Sequence, residues 1–167
     1  MKLIESKTLG TAQASIEFTS IPQDGTDLVV FCSLRTNVNA IAATLSFNTG
    51  GTYTRRRLQG DGSSVISDTA SVDLVVNAST GTTTNTFSNT QIYIPNYTGS
   101  TAKSYSSDSV TENNSTEAYQ TLIAGRWSET AAITSLKITV ANTLDAGSII
   151  SLYKITKGSD GIVTTSP

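Results

Sequence analysis

Residues 119–127 read Tyr119-Gln120-Thr121-Leu122-Ile123-Ala124-Gly125-Arg126-Trp127. Taken with a period of two, Tyr119, Thr121, Ile123, Gly125 and Trp127 fall on one face, the pattern of a strand with one side turned to a core. The same period recurs on either side. Ala14-Ser15-Ile16-Glu17-Phe18-Thr19 puts Ala14, Ile16 and Phe18 together, and Thr44-Leu45-Ser46-Phe47 alternates until the turn signal Asn48-Thr49-Gly50-Gly51. Leu28 to Leu34 is apolar on both faces, as for a central strand of a sandwich. Tyr53 to Leu58 is a strand carrying three arginines, closed by Gly60-Asp61-Gly62.

Further along, Leu74-Val75-Val76 is a short apolar run, and Ser79 to Asn85 reads as a loop. Gln91 to Ile94 is a strand that Pro95 stops, because proline has no amide proton for the ladder. Lys103 to Thr111 alternates with small polar residues, as in a partly exposed strand. Ile133 to Ala141 and Ser148 to Thr156 are expected to pair with each other across Asn142-Thr143-Leu144-Asp145-Ala146-Gly147. No amphipathic helix and no repeat of fixed period is found. The expectation is an all-β chain of about nine to eleven short strands, folded as an antiparallel two-sheet, jelly-roll-like β-sandwich. Residues 1–157 form the domain and 158–167 a C-terminal tail. That tail and Met1 to Thr8 are the expected arms toward a neighbour.

Composition then narrows function. Among 167 residues there is no histidine, one cysteine and 14% charged residues, while serine and threonine fill 51 positions. Histidine is the commonest general acid/base and metal ligand, so a chain without it is poorly equipped for either chemistry. A nucleophilic serine has no histidine to take its proton, and no Ser-x-x-Lys pattern occurs. Cys32, inside Leu28-Val29-Val30-Phe31-Cys32, reads as a small buried hydrophobe. The reading is of a non-enzyme, with no catalytic, cofactor or metal site. A net charge of −2 gives no reason to expect nucleic acid as a partner. The apolar runs fall far short of a membrane span, and Met1-Lys2-Leu3-Ile4-Glu5-Ser6-Lys7 lacks the apolar core of an export signal. Asn-x-Ser/Thr sequons at Asn77, Asn96, Asn113 and Asn114 are what chance gives so Ser/Thr-rich a chain.

Five residues stand out as docking candidates. In Arg55-Arg56-Arg57, Arg55 and Arg57 project to one side of a strand and Arg56 to the other. One reading is a face that pairs with acidic residues of another protein; the other is a solvated strand that discourages edge pairing. Tyr97 and Tyr105 adjoin loop-like, Ser/Thr-rich sequence and are expected to be exposed, whereas Trp127 is assigned to the core. Asp24, Asp27, Asp61 and Asp68 are read mainly as turn chemistry. No Asp-x-Asp-x-Asp calcium loop occurs, and a glycosidase carboxylate pair is a matter of spatial separation.

Several stretches carry a resemblance. They are Ser20-Ile21-Pro22-Gln23, Asp27-Leu28, Arg56-Arg57-Leu58-x-Gly60-Asp61-Gly62-Ser63 and Ile92-Tyr93-Ile94-Pro95-Asn96-Tyr97. Ala124-Gly125-x-Trp127-Ser128-x-Thr130-Ala131-Ala132-Ile133-Thr134-Ser135 and the closing Gly147-Ser148-x-x-Ser151-Leu152-Tyr153 complete them. With these the chain resembles a family of virion proteins of tailed phages of aquatic bacteria, including cyanophages, from about Ser20 to Ile155. The resemblance implies a virion structural protein without catalytic residues, assembled in the host cytoplasm and similar to trimeric jelly rolls. A capsid decoration, or cement, protein bound to the major capsid protein is one form of this. A head- or tail-fibre module that binds a host surface or glycan is the other. No fibrous shaft accompanies the motifs, which favours the decoration protein.

Overall fold

A computed structural model describes residues 1–37, 42–69, 75–76, 82–114 and 118–158. Leu74, Asn77, the first part of the Ser79–Asn85 stretch and the tail from 159 onward lie outside the described residues. Twelve strands are found there: β1 (Lys2–Thr8), β2 (Gln13–Phe18), β3 (Asp27–Ser33), β4 (Ala42–Phe47), β5 (Tyr53–Gly60), β6 (Val65–Asp68), β7 (Val75–Val76), β8 (Asn89–Ile94), β9 (Lys103–Glu112), β10 (Ala118–Trp127), β11 (Leu136–Leu144) and β12 (Ile149–Ile155). The chain is all-β, and its strands form two antiparallel sheets packed as a jelly-roll-like sandwich.

The larger sheet runs β1-β12-β3-β8-β9-β10-β5-β6 and the smaller β2-β11-β4-β7. Eight of these strands, β1-β12-β3-β8 over β2-β11-β4-β7, make the two interleaved four-stranded sheets of a jelly roll. The remaining four are two hairpins, β5–β6 inserted between β4 and β7 and β9–β10 between β8 and β11. They pair with each other through β10 and β5 and lengthen the larger sheet.

Alternating side chains build the core. From the smaller sheet come Ile16, Phe18, Leu45, Phe47, Leu136 and Ile138; from the larger come Leu28, Val30, Ile92, Ile94, Ile150 and Leu152, all buried. Each such side chain is worth roughly 1.5–3 kcal/mol over leaving it in water. Leu28 to Leu34 is indeed central, with β3 between β12 and β8. Strand β8 ends at Ile94, just before Pro95. The turn after β4 has Asn48, Gly50 and Gly51 all at positive φ. Gly51 also lies where a Cβ would come within 2.5 Å of Trp127 Nε1, whose N–H donates to Gly50 O at 3.0 Å.

Two expectations are corrected. Residues Met1 to Thr8 are no free arm: Lys2–Thr8 is an edge strand registered along β12 from Lys2↔Lys154 to Thr8↔Ile149. Strands β11 and β12 do not pair with each other. The first lies between β2 and β4, the second between β1 and β3, in different sheets. Their connection crosses the sandwich, as Asp145 N donates to Arg35 O and Gly147 N to Leu9 O, partners that a hairpin turn would not use.

Candidate docking face

The three arginines lie on β5, in the extension. Its alternation leaves Arg55 buried at 5% exposure, Arg56 exposed and Arg57 half-buried. Arg55 and Arg57 thus share the inner side, as the strand period requires. Arg57 Nη2 pairs with Asp68 Oδ2 across the β5–β6 ladder at 2.5 Å. Only Arg56 is presented to the outside, with its Nη1 donating to the Arg55 carbonyl at 2.8 Å. The docking and solvated-face readings therefore divide by residue, and the cluster does not act as one patch.

Tyr97 and Tyr105 are not exposed. Tyr97 is fully buried; its hydroxyl accepts from Gly25 N at 3.2 Å and donates to Pro22 O, while its own carbonyl accepts from Ile133 N. Tyr105 is 3% exposed and edge-on to Phe47, with ring centroids 5.8 Å apart. Burial pushes its hydroxyl up to about 12, against an opposing pull from Arg55. Trp127 is in the core, as its alternation requires. Each of the eleven aromatic residues is buried or half-buried.

The carboxylates serve the fold. Asp24 pairs with Lys154, Asp61 accepts from Ser63 N and Ser64 N, and Asp68 holds Arg57. Asp27 accepts from Tyr93 Oη at 3.1 Å and Asn96 N at 3.0 Å. Among the described residues no group of three or more His, Cys, Asp or Glu side chains comes close enough to hold a metal ion.

Registers across the extension align two rows on its outer side. One runs Gln91–Asp108–Leu122–Leu58–Ser67 from β8 to β6, the other Tyr93–Ser106–Ala124–Arg56. They line a depression of about 530 Å³. Leu58 and Leu122, directly opposed in register, are 46% and 43% exposed. Aliphatic side chains left in water at the centre of a shallow cup, with Arg56 and Asp108 at its margins, have the layout of a protein-binding surface. Compared with known proteins, the chain matches no family model, no curated relative and no solved structure.

Sequence reasoning found Arg56 but missed Leu58 and Leu122. The signal was present, since both occupy the polar phase of otherwise well-ordered alternation. An apolar residue there faces solvent or a partner.

Proposed function

We propose that this chain is a structural accessory protein of a phage particle, a decoration protein that binds the assembled capsid and stabilises it. The observation that carries the reading is the exposed Leu58–Leu122 pair set in its cup on the sheet extension. Two hairpins inserted into an otherwise complete jelly roll create that surface. The partner is the major capsid protein or another virion protein. Copies associate in threes about a local three-fold, in keeping with the closed symmetry usual for such assemblies. The mechanism is mass action: contacts made only with the assembled shell favour that state over its dissociated subunits.

The family resemblance supplies the virion context, and the cup supplies the contact. The fibre alternative asks for an exposed aromatic groove to stack on sugar rings. Tyr93 is the one aromatic side chain lining the cup, half-buried with its hydroxyl donating to Asp27, and a single ring of this kind favours the decoration protein over it. Particles purified with and without the protein, heated side by side, test the proposal. Those carrying it are expected to disrupt at the higher temperature, and equal temperatures would overturn the stabilising role.

A further inference from the structure

The larger sheet has two edges, and they differ. At β1 the edge carries Lys2, Glu5 and Lys7, and its register shifts between Leu3 and Glu5. Charges and irregularities of this kind prevent edge-to-edge association. At the other edge, where no further strand pairs among the described residues, β6 reads Val65-Ile66-Ser67-Asp68, with Val65 72% and Ile66 45% exposed. Its single charge, Asp68, is held inward by Arg57.

Hydrogen-bond parity makes this edge specific. Asp61 N donates to Ser64 O at the base of the β5–β6 hairpin, so that pair is hydrogen-bonded. In an antiparallel ladder bonded and non-bonded pairs alternate. Gly60↔Val65 is therefore non-bonded, Gln59↔Ile66 bonded and Leu58↔Ser67 non-bonded. It follows that the amide and carbonyl of Ile66 turn toward β5, while those of Val65 and Ser67 turn away from the sheet.

We propose that β6 is a self-pairing edge, joining a second copy of this chain through antiparallel β6–β6 pairing centred on Ile66. In that register Val65 of each copy faces Ser67 of the other as a bonded pair, so both outward-turned residues are used twice. The two Ile66 residues meet at the dyad as a non-bonded pair, where side chains approach most closely. Within Val65–Asp68, registers centred on Val65 or Ser67 would use only one of the two. A four-residue edge buries far less than the roughly 1,200 Å² of a stable interface, so the association is weak in solution and strengthens where copies are concentrated. Being two-fold, it is separate from any three-fold association and needs no particle.

Cysteine cross-linking of the isolated full-length protein reads this directly. Opposed non-bonded Cα atoms lie about 4.5 Å apart, within disulfide range. Val65 and its copy, offset by two residues, lie about 8 Å apart from the strand rise and spacing, beyond that range. Ile66→Cys is expected to form disulfide-linked pairs under mild oxidation, several-fold more than Val65→Cys. Equal yields, or none at Ile66, would overturn the proposal. Sedimentation over a wide concentration range is the second measurement: wild-type mass should rise and Ile66→Lys should not. A rise unchanged by Ile66→Lys counts against the proposal. Because neither measurement involves a shell, failure here leaves the capsid-docking reading standing, and the reverse.

Discussion

Gly125 is the position at which one atom decides most. A Cβ built there would lie 2.1 Å from Cζ of Tyr105, whose ring crosses from β9 over the glycine in β10. The ring is wedged against Phe47 and cannot yield freely. Gly125→Ala is expected to cost about 1–3 kcal/mol, the range for overpacking a core, measured by urea unfolding. In a Tyr105→Ala background the same change should cost little, since the obstruction is gone. Burial also bears on stability at alkaline pH. It pushes the Cys32 thiol from 9.0 to about 12 and the Tyr105 hydroxyl from 10.0 to about 12. Both groups keep their protons longer in the fold than in the unfolded chain. Their contribution is complete below about pH 9 and lost as pH rises through 12. Unfolding free energy should fall steadily across that window, and Cys32→Ala, though less stable throughout, should show a shallower decline. The buried state of Cys32 was legible from its apolar neighbours. That of Tyr97 was not, because its burial depends on Gly25 N and Pro22 O, some 70 residues away in sequence.

Strands and their joints show where reading by periodicity stops. Alternation located β2, β4, β8, β9 and β10 because each has one wet and one dry face. It could not tell which strand lies beside which. The stretch from Asn142 to Gly147 has the residue types of a hairpin turn, yet it carries the chain between sheets. That choice is made by Arg35 O and Leu9 O, distant acceptors with no local signature. Another joint is made by a residue assigned to a partly exposed strand. Lys103, at the start of β9, is 1% exposed, and its ammonium donates to the carbonyls of Gly99 at 2.5 Å, Thr130 at 3.1 Å and Ala131 at 2.7 Å. It also lies over the Trp127 ring, 5.7 Å from the centroid. One side chain thus ties the loop before β9 to the loop after β10. Lys103→Met keeps the aliphatic stem but removes the charged donor that the three carbonyls share, at about 1.5–3 kcal/mol, the range for a hydrogen bond to a charged group. We expect loss of stability in urea and faster amide exchange at Ile133, whose N–H bonds to Tyr97 O in the adjoining segment.

At the scale of the molecule, the two outer faces of the sandwich are unlike. On the smaller sheet, Glu17, Lys137 and Ser46 stand side by side in register, giving a hydrated, mixed-charge surface. On the larger, the extension sets Leu58, Leu122 and Ala124 together. On the proposed reading, the branched aliphatics exposed on the larger sheet, against a polar face on the smaller, mark the face that would meet a partner. Substitution can separate docking from folding, because a residue already in water contributes little to monomer stability. Leu122→Asp should cost about 1 kcal/mol in urea, from the part of Leu122 that is covered and from the like charge opposite it, well short of a core substitution. It also sets a second carboxylate beside Asp108, its register partner on β9, and turns the centre of the cup from apolar to acidic. Binding to shells stripped of the protein should then fall by at least an order of magnitude, whereas Lys137→Glu on the opposite face should bind as wild type. If the two variants bind alike, the cup is not where the shell is met. Comparable retention would move the contact to another surface of the same fold, while loss in both would mean that long-range charge, and not the aliphatic pair, governs attachment.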